Sequence, residues 1–461
     1  MATRKSTDMT TGNPIKKILM FAIPLFIGTM FQQVYNLVDT MIAGHNLGDE
    51  AVAAIGATSA LYAVIIYFAS GLNSGYGIII SRAYGEKNLP KLRKAVASMI
   101  VLDGVITAVL TAIVLPVLRL LLQVLDTPVD IFEDAYSYIF IIFAGMIVTI
   151  AYNMCAGFLQ AVGNSRIPLY YLIVSCIVNA GLDWLFIAKL SMGVRGAAYA
   201  TMIATFISAA ACFVCIAVKF KELLPSRQDF HLEKDLTLEM LSTGLSMALM
   251  GSVFAFGSII LQRAINGLGT TLITAHTASR KAYEFLMMPM LTMATATATF
   301  VSQNYGAGKI DRITGTIKKV MGIELVWSVF SFAVAFFGGK TIIRLMLGTT
   351  DIDVISNGNL NLTVSTLIFF PLAVLLVMRV SMQSMGYKVF PVISSSIELI
   401  VKIIATEVII PTKGYVAVVA TEPVAWVLCA VFLVFVYAIT YKNKLNLKQS
   451  KGIVLDIKHT I

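Results

Sequence analysis

Residues 81–85 read SRAYG, and 221 positions further on residues 302–306 read SQNYG. The same offset lays Leu47-Gly48 on Leu268-Gly269, Ala54 and Ala57 on Ala275 and Ala278, and Tyr62 on Tyr283. Two positions more, and Gln160-Ala-Val-Gly163 meets Gln383-Ser-Met-Gly386 while Pro168 meets Pro391. Matches that keep their order over this length indicate a duplicated unit. Both copies are apolar: of 461 residues 58% are hydrophobic and 13% charged, against about 25% charged in a soluble domain. About twelve runs are long enough to cross a bilayer as helices, the first near 18–43 and the last near 415–441.

The expected fold is therefore an all-α membrane protein of twelve transmembrane helices in two six-helix lobes. Six spans bring each copy back to its starting side, so the pseudo-twofold axis runs along the membrane normal and a cavity lies between the lobes. The N-terminal lobe covers 1–218, a polar cytoplasmic linker (KFKELLPSRQDFHLEKD) 219–236, the C-terminal lobe 237–441 and a basic cytoplasmic tail 442–461. Roughly two dozen Lys and Arg fall at the termini and on one set of connections, against about seven on the other set. The positive-inside rule then places both termini in the cytoplasm. The net charge of +10 thus reports topology, and no nucleic-acid partner is expected. The opening residues have no cleavable-signal pattern, so the first apolar run should remain as a span. Cys212 and Cys215 have zinc-like spacing but no second ligand pair, and read as packing residues. Neither a GxxxxGK[ST] loop nor a nucleophile elbow is present, which argues against an ATP-driven pump and a hydrolase.

Two aspartates interrupt the apolar runs: Asp39 in FQQVYNLVDTMIAG (31–44) and Asp183 in IVNAGLDWLFI (177–187). Neither has a Lys or Arg one helical turn away, and an unpaired carboxylate at membrane depth reads as part of an ion or substrate pathway. Gln32, Tyr35, Asn36 and Asp39 recur at i, i+3, i+4 and i+7, which makes one stripe of the first span polar. Asn179 and Asp183 are one turn apart on another span. In the second half Glu284 has Arg280 one turn away and Glu398 precedes Lys402 by a turn, so intrahelical pairing can neutralise both. Asp103, Glu324, Glu407 and Glu422 have no partner at that spacing. The 22 methionines and clusters such as FLMMPMLTM (285–293) suit a deformable apolar wall but read first as packing. Gly71, Gly75 and Gly77 suggest close helix approach.

Taken in order, QxxYNLVDT (32–40), the GxxLG turn (44–48), AVAAIGATS (51–59), SRAYGEKN (81–88), GFLQAVGNSRIP (157–168), NAGLDW (179–184), GVRGAAYAT (193–201), SQNYGAGK (302–309) and SMQSMGYKVFP (381–391) resemble the multidrug and toxic compound extrusion family. The resemblance covers essentially the whole chain and is strongest to the MepA-like members of its prokaryotic branch. It implies a V-shaped pair of lobes with a central cavity and alternating access. It also implies export of organic cations in exchange for inward H+ or Na+, without a cofactor or enzymatic step. The cation or proton site of that branch maps to Asp39, Asn179, Asp183 and Thr201, a possible Na+ position. The substrate-facing polar lining maps to Gln32, Tyr35, Tyr138 and Asn153, with Asn36 on the same stripe, and Pro24 maps to the hinge of the first span. The position equivalent to Asp39 in the second copy is Ile260, which departs from branches with a carboxylate there. Counted at about 1.5 Å per residue, Asp39, Asp183 and Thr201 lie roughly 6, 10 and 12 Å from the outer ends of their spans, consistent with one oxygen-rich site. Desolvation and mutual repulsion make two bare anions there costly, so the pair should hold a proton or a cation.

The expected partners are membrane lipid and small amphipathic cationic drugs, the expected location a bacterial cytoplasmic membrane, and the expected state a monomer. A lipid-linked oligosaccharide flippase or lipid exporter of related fold is the alternative. Its cavity should be rich in Arg and Lys, whereas here only Arg280, Lys281, Arg379 and Lys402 are intramembrane. A passive channel or a receptor is the rival from another class.

Overall fold

A computed structural model describes residues 7–458, apart from the side chains of Leu37, Ala60 and residues from 441 onward. The described residues are helical, without strands. In the first copy α1 spans Pro14–Leu47, α2 Asp49–Gly85, α3 Leu89–Val124, α4 Val129–Ala144, α5 Met146–Ala161, α6 Arg166–Asp183 and α7 Gly193–Lys219. The second copy has α8 Lys234–Asn266, α9 Thr270–Gly306, α10 Ile310–Leu347, α11 Ile352–Leu367, α12 Phe369–Ser384, α13 Val389–Ile404, the short α14 Ile410–Lys413 and α15 Tyr415–Lys458. The element boundaries carry the repeat: α2, α3, α9 and α10 start 221 residues apart in pairs, and α4 to α6 match α11 to α13 at an offset of 223.

Among the described residues nine helices are long and apolar enough to span a bilayer, and two bent pairs bring the number to eleven. The remaining predicted run is α13 continued through a π-helical turn, Ala405–Ile409, into α14. The bent pairs are α4–α5, turned by 48° after Ala144, and α11–α12, turned by 50°. At Gly145 the backbone leaves the helical region (ψ 6°), and a Cβ there would collide with Met202 Sδ on α7 at 2.4 Å. Glycine thus permits both the kink and the close seat of α7. The expected basic tail continues α15 as helix through Lys458.

Caps explain several starts. Asn13, before Pro14, accepts from Lys16 N at 3.2 Å, and Asn88, before Leu89-Pro90, accepts from Lys91 N at 3.1 Å. The chain clusters into two compact units, one of residues 1–255 with 295–316 and one of 256–294 with 317–461, so α8, α9 and α10 contribute to both.

Within the first unit the ends of α2 and α9 cross reciprocally. A Cβ on Gly85 would lie 2.0 Å from Gln303 O, and one on Gly306 would lie 2.1 Å from Arg82 O. These are equivalent positions of the two copies. Further along, Gly71 meets the backbone of Ala248 and Gly75 that of Gly244, while Gly77 has no such close neighbour. Replacing Gly85 with alanine should therefore push two backbones apart, at a cost of about 1–3 kcal/mol. A lowered unfolding temperature of the purified protein checks this, with Gly104→Ala, where a Cβ meets nothing within 4 Å, as the control.

Candidate cation-coupling site

The polar stripe of α1 faces α6 and α7 over one turn. The Tyr35 hydroxyl donates to Asn179 Oδ1, and Asn179 Nδ2 donates to Asp183 Oδ2 at 2.9 Å. Tyr35 is also within hydrogen-bonding range of Thr201 on α7. The carboxyl groups of Asp39 and Asp183 lie within hydrogen-bonding range of each other. Tyr138 on α4 stands within electrostatic reach of both. Asn179 and Asp183 are buried, at 2% and 0% exposure. The i, i+4 spacing makes Asn179 a support for Asp183, and α6 gives way at that point to a π-helical turn, Trp184–Lys189. Such turns often mark functional positions in helices.

Asp39 Oδ1 and Asp183 Oδ1 are both buried without a hydrogen-bond partner, and neither residue takes part in an ion pair among the described residues. Two close carboxyl groups with buried, partnerless oxygens and no basic side chain are costly as a pair of bare anions. The donor set of two carboxylates, an amide and hydroxyls suits H+ or Na+.

The structure thus gathers Asp39, Asn179, Asp183, Thr201, Tyr35 and Tyr138. It does not bring in the other three lining residues. Gln32 and Asn36 are exposed on α1, and Asn153 is half-buried on α5; none of their side chains bonds to the carboxyl cluster. Pro24 lies inside α1, about two turns before Gln32. Replacing Tyr35 with phenylalanine removes the hydroxyl that joins α1 to α6 and α7. The expected cost is about 0.5–1.5 kcal/mol, read as weaker binding of the coupling ion in an ion-titrated thermal-shift assay.

The second unit solves the same burial differently. Arg280 Nε pairs with Glu284 at 2.8 Å, and Lys402 with Glu398 at 3.3 Å, as helical spacing predicts. Lys402 also reaches Glu422 on α15 at 3.4 Å, Tyr283 donates to Glu422 at 2.6 Å, and Arg379 pairs with Glu398 at 3.0 Å. Lys402 is 1% exposed, and Gly257 on α8 leaves room for its stem, since a Cβ there would meet Lys402 Cδ at 2.8 Å. At the offset of 223 Lys402 stands where the first copy has Asn179, and at 221 Glu422 falls on the position of Thr201. The second copy therefore carries a tethered ammonium where the first has only oxygen ligands. The link from Lys402 to Glu422 joins separate helices, so spacing along one helix gave no signal for it.

This arrangement, a bundle of long apolar helices with an unneutralised acid pair in one copy and ion-paired acids on α13 and α15 of the other, is that of a multi-pass membrane protein. The MatE family profile matches residues 24–185 and 246–406, and the chain belongs to this family of multidrug efflux transporters. Among its relatives, the probable multidrug resistance protein YoeA of Bacillus subtilis is 26% identical over 391 residues, 82% of this chain and 83% of its own length. The multidrug export protein MepA of Staphylococcus aureus is 23% identical over 347 residues, 74% of this chain and 76% of its own. A solved structure described as the crystal structure of MATE in the bent conformation shares the fold. Its TM-score is 0.89 at 19% identity, with 98% of this chain and all of that one covered.

Proposed function

We propose that the chain is a secondary active exporter of small amphipathic organic cations, driven by inward H+ or Na+ and working by alternating access between the two sequence repeats. The observation that carries this reading is the unneutralised carboxyl pair of Asp39 and Asp183, each with a buried, partnerless oxygen, beside the Tyr35–Asn179–Asp183 hydrogen-bond chain. A proton or cation there removes the charge that would otherwise attract a cationic drug, so the two ligands compete. Occupancy also changes what α1 gains from facing α6. Pro24 lacks the N–H of a regular turn and weakens α1 below this contact, which makes it the natural hinge. Each ligand then biases the equilibrium by its differential affinity for the two arrangements.

The drug-export names of YoeA and MepA belong to those proteins and support the same class of substrate here. The distribution of Lys and Arg supports a cytoplasmic location for both termini in a bacterial membrane. A flippase for lipid-linked sugars is disfavoured because Arg280, Arg379 and Lys402 are engaged by carboxylates. Substrate efflux from sealed vesicles, with a Na+ gradient and a pH gradient imposed separately, tests the proposal. One of the two gradients should drive accumulation against the substrate gradient, and unlabelled substrate should elicit counterflow. Flux that responds to neither gradient and shows no counterflow would mean a passive channel.

A further inference from the structure

Away from the Asp39–Asp183 pair, a second acid of the first unit is buried without a counter-charge. Asp103 on α3 is 4% exposed. Its Oδ1 accepts from Asn73 Nδ2 on α2 at 3.2 Å, but its Oδ2 has no partner, and neither do Asn73 Oδ1 and the Tyr76 hydroxyl. Asn73 and Tyr76 are one turn apart on α2, buried at 4% and 0% exposure, and Tyr76 lies within electrostatic reach of Asp103. Three partnerless oxygens thus gather at one point between α2 and α3.

The surrounding elements supply no cation. Asn73 is the α2 group that acts on Asp103, and among the described residues α4, α5 and the linker turns contribute no Lys, Arg or His within range. On α8 Glu239 is paired with Arg82 at 3.0 Å, and no charged group of α8 acts on Asp103. An ionised Asp103 would leave a buried net charge met only by neutral groups, the Asn73 amide and the Tyr76 hydroxyl, with no counter-charge. One proton on Oδ2 cancels that charge and lets the acid donate to a neighbouring oxygen.

The repeat gives an independent indication. At the offset of 221 that aligns α2–α3 with α9–α10, Asp103 falls on Glu324. Glu324 is buried at 3% exposure in the second unit, its Oε1 also lacks a partner, and burial is the one influence acting on it. One turn on, Thr107 donates to Asp103 O and Ser328 donates to Glu324 O, again equivalent positions. Each copy places a lone acid followed by a hydroxyl at the same point of its third helix.

We propose that Asp103, with Asn73 and Tyr76, is a proton-binding site whose carboxyl is a neutral acid while α2 and α3 are packed as here, and that Glu324 is its counterpart in the second copy. The site is separate from the coupling pair. Along α2, Asn73 is roughly 36 Å from the Gly48 turn, whereas Asp39 is roughly 13 Å from it on α1. It does not depend on which ion drives export.

The full chain in lipid nanodiscs tests this by infrared spectroscopy of the protonated-carboxyl C=O stretch, recorded at neutral pH in H2O and D2O. An Asp39→Asn/Asp183→Asn background removes the coupling pair from the signal. In that background a carboxylic-acid component should persist, Asp103→Asn should abolish one part of it and Glu324→Gln another. Tyr76→Phe, which keeps the acid and removes its hydroxyl neighbour, should shift the Asp103 part and serves as the readout if Asp103→Asn does not fold. A spectrum unchanged by Asp103→Asn, or a component indifferent to Tyr76→Phe where that variant is the readout, overturns the proposal.

Discussion

Asp183→Asn should leave a folded protein whose gradient-driven efflux falls at least tenfold. The amide has nearly the shape of the acid and can still meet Asn179 at the i+4 position, so the contact between α6 and its neighbours survives. What disappears is the ability to alternate between a charged and a neutral form, and with it the competition between coupling ion and drug. Each lost decade of rate corresponds to about 1.4 kcal/mol. Removal of an interaction that separates two functional states reaches that size readily. Asp39→Asn should behave alike, because the two groups act as one titrating unit. Efflux assays in sealed vesicles, with unfolding temperature measured in parallel, separate loss of coupling from loss of fold. Undiminished efflux in both variants would return the pair to a structural role.

Lys402→Met should destabilise the protein by about 3–5 kcal/mol, the range for removal of one partner from a buried ion pair. Methionine fills much of the lysine volume, so packing beside Gly257 is largely kept and the loss reports charge. Glu398 retains Arg379 at 3.0 Å, but Glu422 keeps only the Tyr283 hydroxyl as a close donor. Adding Glu422→Gln should therefore recover a large part of the stability, a coupling visible in a double-mutant cycle. Thermal unfolding in detergent gives the measurement. Equal losses for Lys402→Met alone and in combination would show that the ammonium does not serve Glu422.

Much of this architecture was legible in the sequence because the duplicated motifs and the hydropathy act over long windows. SRAYG and SQNYG lie at the crossing of α2 with α9, and their glycines are required there by backbones that leave no space for a Cβ. The breaks were not legible. Residues 135–162 carry no charged side chain, yet the helix bends after Ala144 because Gly145 takes a conformation that hydropathy does not encode. The π-helical turns after Asp183 and Ile404 likewise leave no compositional trace.

At the site, the lone carboxylates signalled themselves by the cost of burying them, and Asn179 by its one-turn spacing from Asp183. Gln32 and Asn36 share the stripe of Asp39 but lie up to two turns earlier, where their side chains are exposed and bond to none of the carboxyl cluster. Asp103 and Glu324 were visible as acids without a local partner. Their isolation became evident only when neighbouring helices, which a single-helix reading cannot place, also offered no base. Lys402 and Glu422 show the converse: each lacked an obvious long-range partner in sequence and found one across the fold.

The central claim is that Asp39 and Asp183 share one pocket and together hold one monovalent cation, proton or Na+, that the substrate displaces. The most direct measurement is ion release from the purified protein in weakly buffered solution as a cationic substrate is titrated in, followed by pH and by a Na+ electrode. About one H+ or one Na+ should appear per substrate bound, and Asp39→Asn/Asp183→Asn should release none. Undiminished release from that double variant would contradict the account.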